Sequence, residues 1–536
     1  MTETDVIVIG SGCSGAMAAQ TLVEGGLRVL MLDVGTQDEK YKEIIPQKDF
    51  ETIRSSEDNQ HEYFLGKEFE SLQLGAGKSG AQLTPPRQHI TRYVSDWLGV
   101  HSSTFFPVES LAYGGLGAGW GLGCCVYSEK EMQLCSLNPS DMDTAYNVVA
   151  NRIGISADVN DNASEFTIGK VKHYLPPLQL DESKYLLERF GKNKDKWNNM
   201  GLFLGRPALA LLSRDYHARK ACTYDDMYFY RDAGNSAYRP GLTIDLLKLK
   251  SNFQYISNQL VTSFSETTDG VIAETFDVKT KEKNFFTAKK LVLAAGALST
   301  ARIVLRSFNA DKKISFLCNP YTYYPCLNPG MAGRKIMQYK TGLAQLSVFH
   351  DAGLKHEDVA MASIYSYRSL FLFRLMNEIP LNYKDAKELM RFFLSGIVIM
   401  GIHHPDAFSG NRFVERKSSR SSLTGDEFKM EFVLSDDEKK KLRTREKVFT
   451  AMMRSLGAYA LKRVDPGMGA SIHYAGTLPF SKTAKQFTLG HDGKLSLTKS
   501  VYVADSSGFN FLPAKGLTFS LMANAHLVAK NILHNK

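Results

Sequence analysis

The alternation of hydrophobic and polar positions is clearest at the start of the chain. Residues 5–9 form a short, apolar, β-branched run that predicts a buried strand. A glycine-rich turn over 10–15 follows, and 16–24 then have the spacing of a helix that two glycines end. Residues 28–32 predict a second buried strand, with Asp33 at its end. The order strand, glycine turn, helix, strand and acid is the order that a dinucleotide site requires.

Each part of this motif has a physical role. Gly10 permits the tight turn, Gly12 lets the backbone approach a pyrophosphate, and Gly15 lets helix and strand pack closely. The start of the helix supplies free N–H groups and a positive dipole end for phosphates. Asp33 can accept hydrogen bonds from the ribose hydroxyl groups.

Two later segments repeat the pattern of a buried strand that leads into a helix. Residues 290–301 run from a buried strand through small residues into a helix. Residues 501–505 form a strand that ends in Asp505, and an amphipathic helix follows from about 517 to 533. Because they return so late, we expect the nucleotide domain to be discontinuous in sequence.

The middle of the chain has a different texture. Strands are predicted at 336–350, 359–367, 396–403 and 428–434, and a long charged helix at 436–461 follows them. A block of strands followed by a helix is typical of an antiparallel sheet backed by helices. Before this block, residues 253–256, 260–264 and 271–278 are also predicted strands, with Asp269-Gly270 as a hairpin turn.

These elements predict an α/β fold with two domains. One is a discontinuous nucleotide-binding domain, and the other is an α+β substrate domain built on an antiparallel sheet. The predicted boundaries are 1–155, 246–308 and 481–536 for the nucleotide domain, 156–245 for a mixed connecting segment, and 309–480 for the substrate domain.

A second glycine-rich stretch covers residues 113–123. So many glycines make a poor helix or strand, because each one costs backbone entropy to order. A flexible linker would carry serine and charges, whereas this stretch carries Tyr113, Leu116 and Trp120. The composition favours a loop whose backbone lies against a ligand.

Composition excludes several classes of protein. The 536 residues are 43% hydrophobic and 23% charged, which is ordinary for a globular protein with a large core. No apolar run is long enough to span a bilayer. The seven cysteines include no CxxC pair, and the first strand leaves no room for a signal peptide, so we expect reduced thiols and a cytoplasmic protein. The formal charge of +9 is spread along the chain; it suits an anionic substrate, an acidic membrane surface or nucleic acid, but by itself it selects none of them. We expect no nucleic-acid partner and no metal site.

The segment 369–394 allows two interpretations. Its apolar runs at 369–376 and 389–394 are interrupted by arginine. This pattern is typical of a helix packed on a sheet or at an oligomer interface. It is also found where a protein contacts a membrane surface or a greasy substrate.

Five motifs occur in an order that resembles one family. They are GSGCSG with LMLDVG, the YGGLGAGWG loop, LVLAAGALSTARIVLRS, HYAGT, and VADSSGF before the terminal helix. In this order they resemble the glucose–methanol–choline (GMC) flavoprotein oxidoreductases over nearly the whole chain. The first motif and the glycine-rich loop are most similar to the pyranose-oxidase branch.

The resemblance implies an FAD-binding Rossmann-like domain and FAD as the nucleotide. By position in the motifs, the pyrophosphate would contact Gly10, Gly12, Ser14 and Gly15, the ribose would contact Asp33, and the adenine would contact Val261. The flavin would lie along Gly114 and Gly115, with its pyrimidine ring facing Leu517 and Thr518. Ala295 and Gly296 would close the nucleotide pocket, and Asp505 would lie near the ribityl–pyrophosphate part. Members that bind flavin covalently use a histidine next to the loop tryptophan. Here Ala118-Gly119 precede Trp120, so we expect non-covalent FAD.

The resemblance also implies a catalytic base. His473 lies among small residues, and without the family's motif an ordinary core histidine would be the preferred interpretation. In the family, a histidine at this position takes the proton of a substrate alcohol while hydride passes to flavin N5. The family usually has Asn-Pro or His-Pro before the terminal helix, whereas this chain has Ala514-Lys515. Lys515 or Asn510 is near enough in sequence to supply the missing second catalytic group.

The expected function is therefore FAD-dependent oxidation of an alcohol carbon of a small-molecule substrate, such as a sugar, a polyol or a related alcohol. The oxidase and dehydrogenase alternatives stay open. The departure at Ala514-Lys515 motivates a second hypothesis, a lyase or isomerase with structural FAD. A third is a flavin-binding subunit without catalysis that acts at a membrane or on a partner through 369–394.

Overall fold

The computed structural model describes residues 4–71, 83–337, 339–366, 380–419 and 424–534. In this part of the chain the fold is mixed α/β, as the sequence predicts, with one parallel sheet and several antiparallel sheets. The first part of the predicted contact segment, residues 369–379, lies outside the described residues.

The parallel sheet joins strands that are far apart in the sequence. Its central strand, Val6–Ile9, is buried along its whole length, which is typical of a parallel sheet covered by helices on both faces. The predicted early, middle and late segments therefore share one sheet. In spatial order the strands are Val501–Val503, Lys290–Leu293, Val6–Ile9, Val29–Leu32 and Phe253–Ile256.

The first helix, Cys13–Glu24, begins immediately after the glycine turn. Gly10 has a left-handed φ of +93°, which glycine adopts without the strain of a side chain. A Cβ on Gly15 would overlap the carbonyl oxygen of Gly10, so glycine is required where the helix crosses the strand. The helix packs against the terminal helix Leu517–His534, which brings the two ends of the described chain together.

A six-stranded antiparallel sheet forms the second large unit. The helix Asp436–Ser455 covers one of its faces through Phe449, Met452 and Met453. The first of its strands in the sequence comes from the connecting segment rather than from 309–480. In spatial order the strands are Tyr459–Ala460, Tyr321–Leu327, Ile397–His403, Val359–Ser366, Ala344–Asp351 and Leu202–Gly205.

Two predicted elements in this region were too long. The strand predicted at 336–350 begins only at Ala344, because the preceding backbone bonds elsewhere, with the Lys340 N–H donating to the Tyr224 carbonyl at 2.9 Å. The helix predicted at 436–461 ends at Ser455. Gly457 takes a left-handed φ of +82°, and the chain then pairs as a short strand with the end of Tyr321–Leu327.

Smaller elements complete the described fold. Its other strands are Gln259–Glu266, Val271–Asp277 and Lys283–Ala288 in a three-stranded sheet, Lys313–Ser315, Arg412–Ser418, Asp426–Phe432 and Val100–His101 in a four-stranded sheet, and the pairs Leu317–Cys318 with Tyr474–Ala475, Asp406–Ala407 with Phe511–Leu512, and Gly123–Cys124 with Ala208–Leu209. The other α-helices are Phe50–Ser56, Gln60–Phe64, Val94–Trp97, Glu129–Leu134, Pro139–Ile153, Ser164–Thr167, Lys184–Gly191, Lys194–Asn199, Pro240–Leu247, Ala297–Ser307 and Tyr383–Phe393.

Candidate functional site

A cavity of about 450 Å³ lies between the carboxyl ends of the parallel strands and one face of the six-stranded sheet. This volume is typical of sites for cofactors and small molecules. Gly15, Gly114, Asn510 and Lys515 do not line the cavity. The other residues that the sequence singled out do line it: Gly10, Gly12, Ser14, Asp33, Gly115, Val261, Ala295, Gly296, His473, Asp505, Leu517 and Thr518.

The glycine turn presents free backbone donors to this cavity. The first helix has no side-chain cap at Gly12, so its first N–H groups are not covered by the chain's own side chains. A Cβ on Gly12 would have no neighbour closer than 4.0 Å, which leaves open space in front of the turn. Free N–H groups at the positive end of a helix dipole suit an anionic group such as a pyrophosphate.

The acid after the second strand is held by two hydroxyl groups. Ser11 Oγ and Tyr255 Oη both donate to Asp33 Oδ2, the latter at 3.2 Å. Burial raises the pKa of Asp33 to about 7, and the two hydroxyl donors oppose this rise. A bound ribose would supply further donors to this carboxylate, which would favour its ionised form.

Asp505, which follows the strand Val501–Val503, joins two elements that line the cavity. Asp505 accepts hydrogen bonds from Gly296 N at 3.0 Å, Thr300 Oγ1 at 2.5 Å and Ser507 N at 2.9 Å. Burial raises its pKa, and these donors oppose the rise. Asp505 thereby ties the strand Val501–Val503 to the start of the helix Ala297–Ser307, where both line the cavity.

The glycine-rich loop is packed rather than free. Gly114 N donates to Ser11 Oγ at 2.8 Å, which ties the loop to the first glycine turn. A Cβ on Gly117 would collide with Cys13 Sγ. Trp120 Nε1 donates to the Tyr238 carbonyl at 2.8 Å. The loop therefore has a fixed backbone next to the cavity, as the apolar residues among its glycines suggested.

His473 lies at the other end of the cavity with one ring nitrogen already engaged. Its Nδ1 is 3.1 Å from Asn319 Oδ1. Asn319 Nδ2 donates to the carbonyls of His404, Leu512 and Pro513 at 2.8–3.2 Å, which fixes the amide orientation. The amide oxygen therefore faces the ring, so Nδ1 carries the proton and Nε2 keeps a free lone pair. Burial lowers the pKa of His473 to about 4, so the ring is neutral at pH 7.

A second imidazole, which no motif in the sequence indicated, lies beside His473. The ring of His403 is 5.2 Å from that of His473, centroid to centroid, and 4.5 Å from that of Tyr321. Burial, and then the neighbouring His473, lower the pKa of His403 well below its usual value. The predicted strand 396–403 ended on this histidine, which was the available signal. Asn319 had no comparable signal, because nothing in its local sequence distinguishes it.

The two residues proposed to replace the missing second group lie elsewhere. Lys515 Nζ forms a buried ion pair with Glu131 at 2.6 Å and also donates to the Val126 carbonyl. Asn510 Nδ2 donates to Ser136 Oγ at 2.9 Å and to the Phe480 carbonyl. Because neither side chain reaches the cavity, Asn319 and His403, rather than Lys515 or Asn510, are the polar neighbours of His473.

The wall that the six-stranded sheet forms is polar but uncharged in the described residues. Ser347 and Ser363 are directly opposite each other on adjacent strands, and both line the cavity with Tyr365 and His403. Ser347 Oγ is buried without a hydrogen-bond partner. The charged residues that line the described part of the cavity all lie outside this sheet: Asp33, Glu109, Arg302, Arg306 and Asp505.

Neither of two comparisons with known proteins identifies a relative of this chain. A scan against protein-family models gives no match for this chain, and a search of curated proteins gives none either. Among the described residues, no helix is long and apolar enough to cross a membrane, and no group of three metal-binding side chains occurs. All seven cysteines are buried and free.

Proposed function

We propose that this protein is an FAD-dependent oxidoreductase that oxidises an alcohol carbon of a small molecule. One observation carries the proposal: the uncapped glycine turn beside the parallel sheet and the oriented His473 beside His403 of the six-stranded sheet line the same cavity. A dinucleotide with its diphosphate at the turn would extend towards this histidine. The strand order of the parallel sheet supports a Rossmann-like domain around the first part of the cavity.

The residues around the turn fit a non-covalent FAD. Gly10, Gly12 and Ser14 would hold the diphosphate, with Gly15 allowing the close packing behind it. When bound, FAD would supply the hydride acceptor for the alcohol carbon. The other predicted contacts are Asp33 for the ribose, Val261 for the adenine, Ala295, Gly296 and Asp505 for the centre of the cofactor, and Gly114, Gly115, Leu517 and Thr518 for the flavin.

His473 has the properties of a base for the alcohol proton. The Asn319 amide keeps a proton on Nδ1, so Nε2 is the nitrogen that accepts the substrate proton. With a pKa of about 4, the neutral ring is available throughout the physiological pH range. Such a weak base takes the proton only as the carbon gives up its hydride, because an isolated alkoxide would be far more basic than the imidazole.

His403 replaces the group that the family places before the terminal helix. His403, the last residue of the strand Ile397–His403, can reach the same hydroxyl oxygen that His473 Nε2 would contact, since the two rings are 5.2 Å apart. As a neutral imidazole it offers either a donor or an acceptor. We assign it the role of holding the reacting hydroxyl in line with His473.

The first test is spectroscopic. The purified protein should be yellow, and acid precipitation should release FAD into solution. Anaerobic mixing with candidate alcohols should bleach the flavin absorbance, and air should restore it if the enzyme is an oxidase.

Substitution of the two histidines tests the assigned roles. His473→Ala should slow bleaching by about 10²–10⁴-fold and leave FAD bound. His403→Ala should slow it by a smaller factor, and His101→Ala, an exposed histidine away from the cavity, should have no effect. Normal bleaching by His473→Ala would contradict the mechanism.

A second function has one specific observation in its favour. His473 and His403 are adjacent neutral imidazoles, and such a pair can serve as base and acid without any net oxidation. A lyase or isomerase with structural FAD would use them in this way. Turnover that mass spectrometry detects without any flavin bleaching would favour this function over the oxidoreductase.

A further inference from the structure

The helix Tyr383–Phe393 exposes large apolar side chains. Leu389 is 38% exposed and Phe392 54%, and Leu381, just before the helix, is 50% exposed. The buried side of the helix is separate, because Met390 packs against Ile397 in the core. In the described part of the chain, nothing covers the exposed apolar side.

Neighbouring segments extend this exposed surface. Gly333 N donates to the Phe392 carbonyl at 2.6 Å, and the Phe392 ring lies against Gly333. The next residues, Arg334 and Lys335, are exposed beside it. Tyr459, 49% exposed, is paired with Leu327, which packs on the same small core as Met390.

The charges on this surface are mostly positive. Five cations stand against two carboxylates, Asp385 and Glu388, which gives a local net charge of 5 − 2 = +3. One of the cations, Arg391, is paired with Glu388 at 3.0 Å. We call this surface the basic–apolar patch; it consists of Arg334, Lys335, Leu381, Lys384, Lys387, Leu389, Arg391, Phe392 and Tyr459.

We propose that the basic–apolar patch binds the anionic surface of a lipid bilayer. Leucine and phenylalanine enter the boundary between headgroups and acyl chains, while lysine and arginine attract anionic headgroups. The apolar sequence of residues 369–376, which comes shortly before Leu381 in the chain, has the same combination of bulky side chains and arginine. This binding is independent of the proposed oxidation.

Charge and size both disfavour a second copy of the chain as the occupant. In a two-fold contact of the patch with itself, the same five cations would face one another. A stable dimer buries about 800 Å² on each partner, whereas this patch offers only four large apolar side chains. A bilayer with anionic lipid meets neither objection.

Flotation of the full chain with lipid vesicles tests this inference. We expect binding to phosphatidylcholine vesicles that contain about 30% phosphatidylserine, and much weaker binding to pure phosphatidylcholine. Raising the salt from about 0.1 M to about 0.5 M should weaken the binding, because the cations are exposed and screened.

Paired variants separate the apolar from the basic part of the patch. Leu389→Glu with Phe392→Glu should weaken vesicle binding about tenfold or more, and Lys384→Glu with Lys387→Glu should remove the preference for anionic lipid. The control is Leu249→Glu with Lys250→Glu, an exposed apolar and basic pair outside the patch in which Leu249 is 80% exposed, and this variant should bind as the unmodified protein does. Thermal unfolding and flavin content verify that each variant is folded.

Two results would overturn the inference. One is equal binding of the patch variant and the control variant to anionic vesicles. The other is a dimer in sedimentation velocity without lipid that Phe392→Glu dissociates, which would assign the patch to a second copy of the chain.

Discussion

The two ends of the cavity are built in different ways. At the end beside the parallel sheet, the glycine turn, the first helix and Asp33 all lie within residues 9–33, although Gly296 and Asp505 also line this end. The opposite end brings together Asn319, His403 and His473, which lie on three segments separated by 70 residues or more along the chain. The first end is fixed mainly by local backbone geometry, and the second by how the six-stranded sheet packs. We therefore expect substitutions at the two ends to impair the protein in different ways.

The largest effect is expected at the glycine turn. Gly15→Val places a branched side chain where even a Cβ would overlap the Gly10 carbonyl oxygen, so the helix must leave the strand. We expect loss of bound FAD together with a destabilisation of about 3 kcal/mol or more. Flavin content and thermal unfolding measure both effects. Gly191→Ala, at the end of the helix Lys184–Gly191 and outside the cavity, also has open space around it and is the control that should retain FAD.

The next largest effect is expected at Lys515, where it distinguishes a structural role of this side chain from a catalytic one. Lys515→Met leaves the buried Glu131 without its cation, which should cost about 3–5 kcal/mol of unfolding free energy. Denaturant unfolding measures this loss, and adding Glu131→Gln should recover most of it. If Lys515→Met instead abolished turnover at unchanged stability, Lys515 would belong to the catalytic end after all.

A medium effect is expected from the amide that orients the base. Asn319→Asp puts a carboxylate against Nδ1–H, which stabilises the charged imidazole and raises the pKa of His473 above its present value of about 4. The second carboxylate oxygen meets the carbonyls of His404, Leu512 and Pro513, to which the amide now donates, so the variant should also unfold more easily. In the proposed mechanism the neutral ring is the active form, and it predominates above the pKa of His473. The unmodified enzyme should therefore keep its rate down to about pH 5, while the variant should lose about tenfold between pH 8 and pH 5.

The pH profile of kcat/KM distinguishes this role from a purely structural one. A variant that merely loosened the site would lower the rate equally at all pH values. A profile of Asn319→Asp parallel to that of the unmodified enzyme would therefore remove Asn319 as the positioning residue for His473.

The smallest effect is expected at the uncharged wall. Ser347 Oγ is buried without a partner, so a hydroxylated substrate gains a hydrogen bond there. Ser347→Ala should raise KM for such a substrate about fivefold and leave kcat nearly unchanged. Steady-state kinetics measure both constants. Ser366→Ala, on the adjacent strand and outside the cavity, is the matched control, and an equal rise of KM in both variants would show that the wall does not bind the substrate.

The same contrast explains what the sequence could predict. The parallel strands and the helices after residues 12 and 516 were predicted within a few residues, because buried β-branched runs and glycine turns are local signals. The environment of His473 could not be predicted in this way. Its partners depend on sheet register, and the expectation of Lys515 followed sequence proximity to Leu517 although its side chain turns towards Glu131.

The packing of the last helix on the first has a consequence for biosynthesis. The edge strand Val501–Val503 and the helix Leu517–His534 are the last described elements to leave the ribosome, yet they complete the sheet and the wall next to the glycine turn. The glycine turn is synthesised long before these two elements, so the wall beside it is completed only when they have packed. Nascent chains that stop before residue 500 therefore leave Lys290–Leu293 as the edge strand of the parallel sheet, and a ligand that needs the completed wall binds only after the later strand and helix are in place.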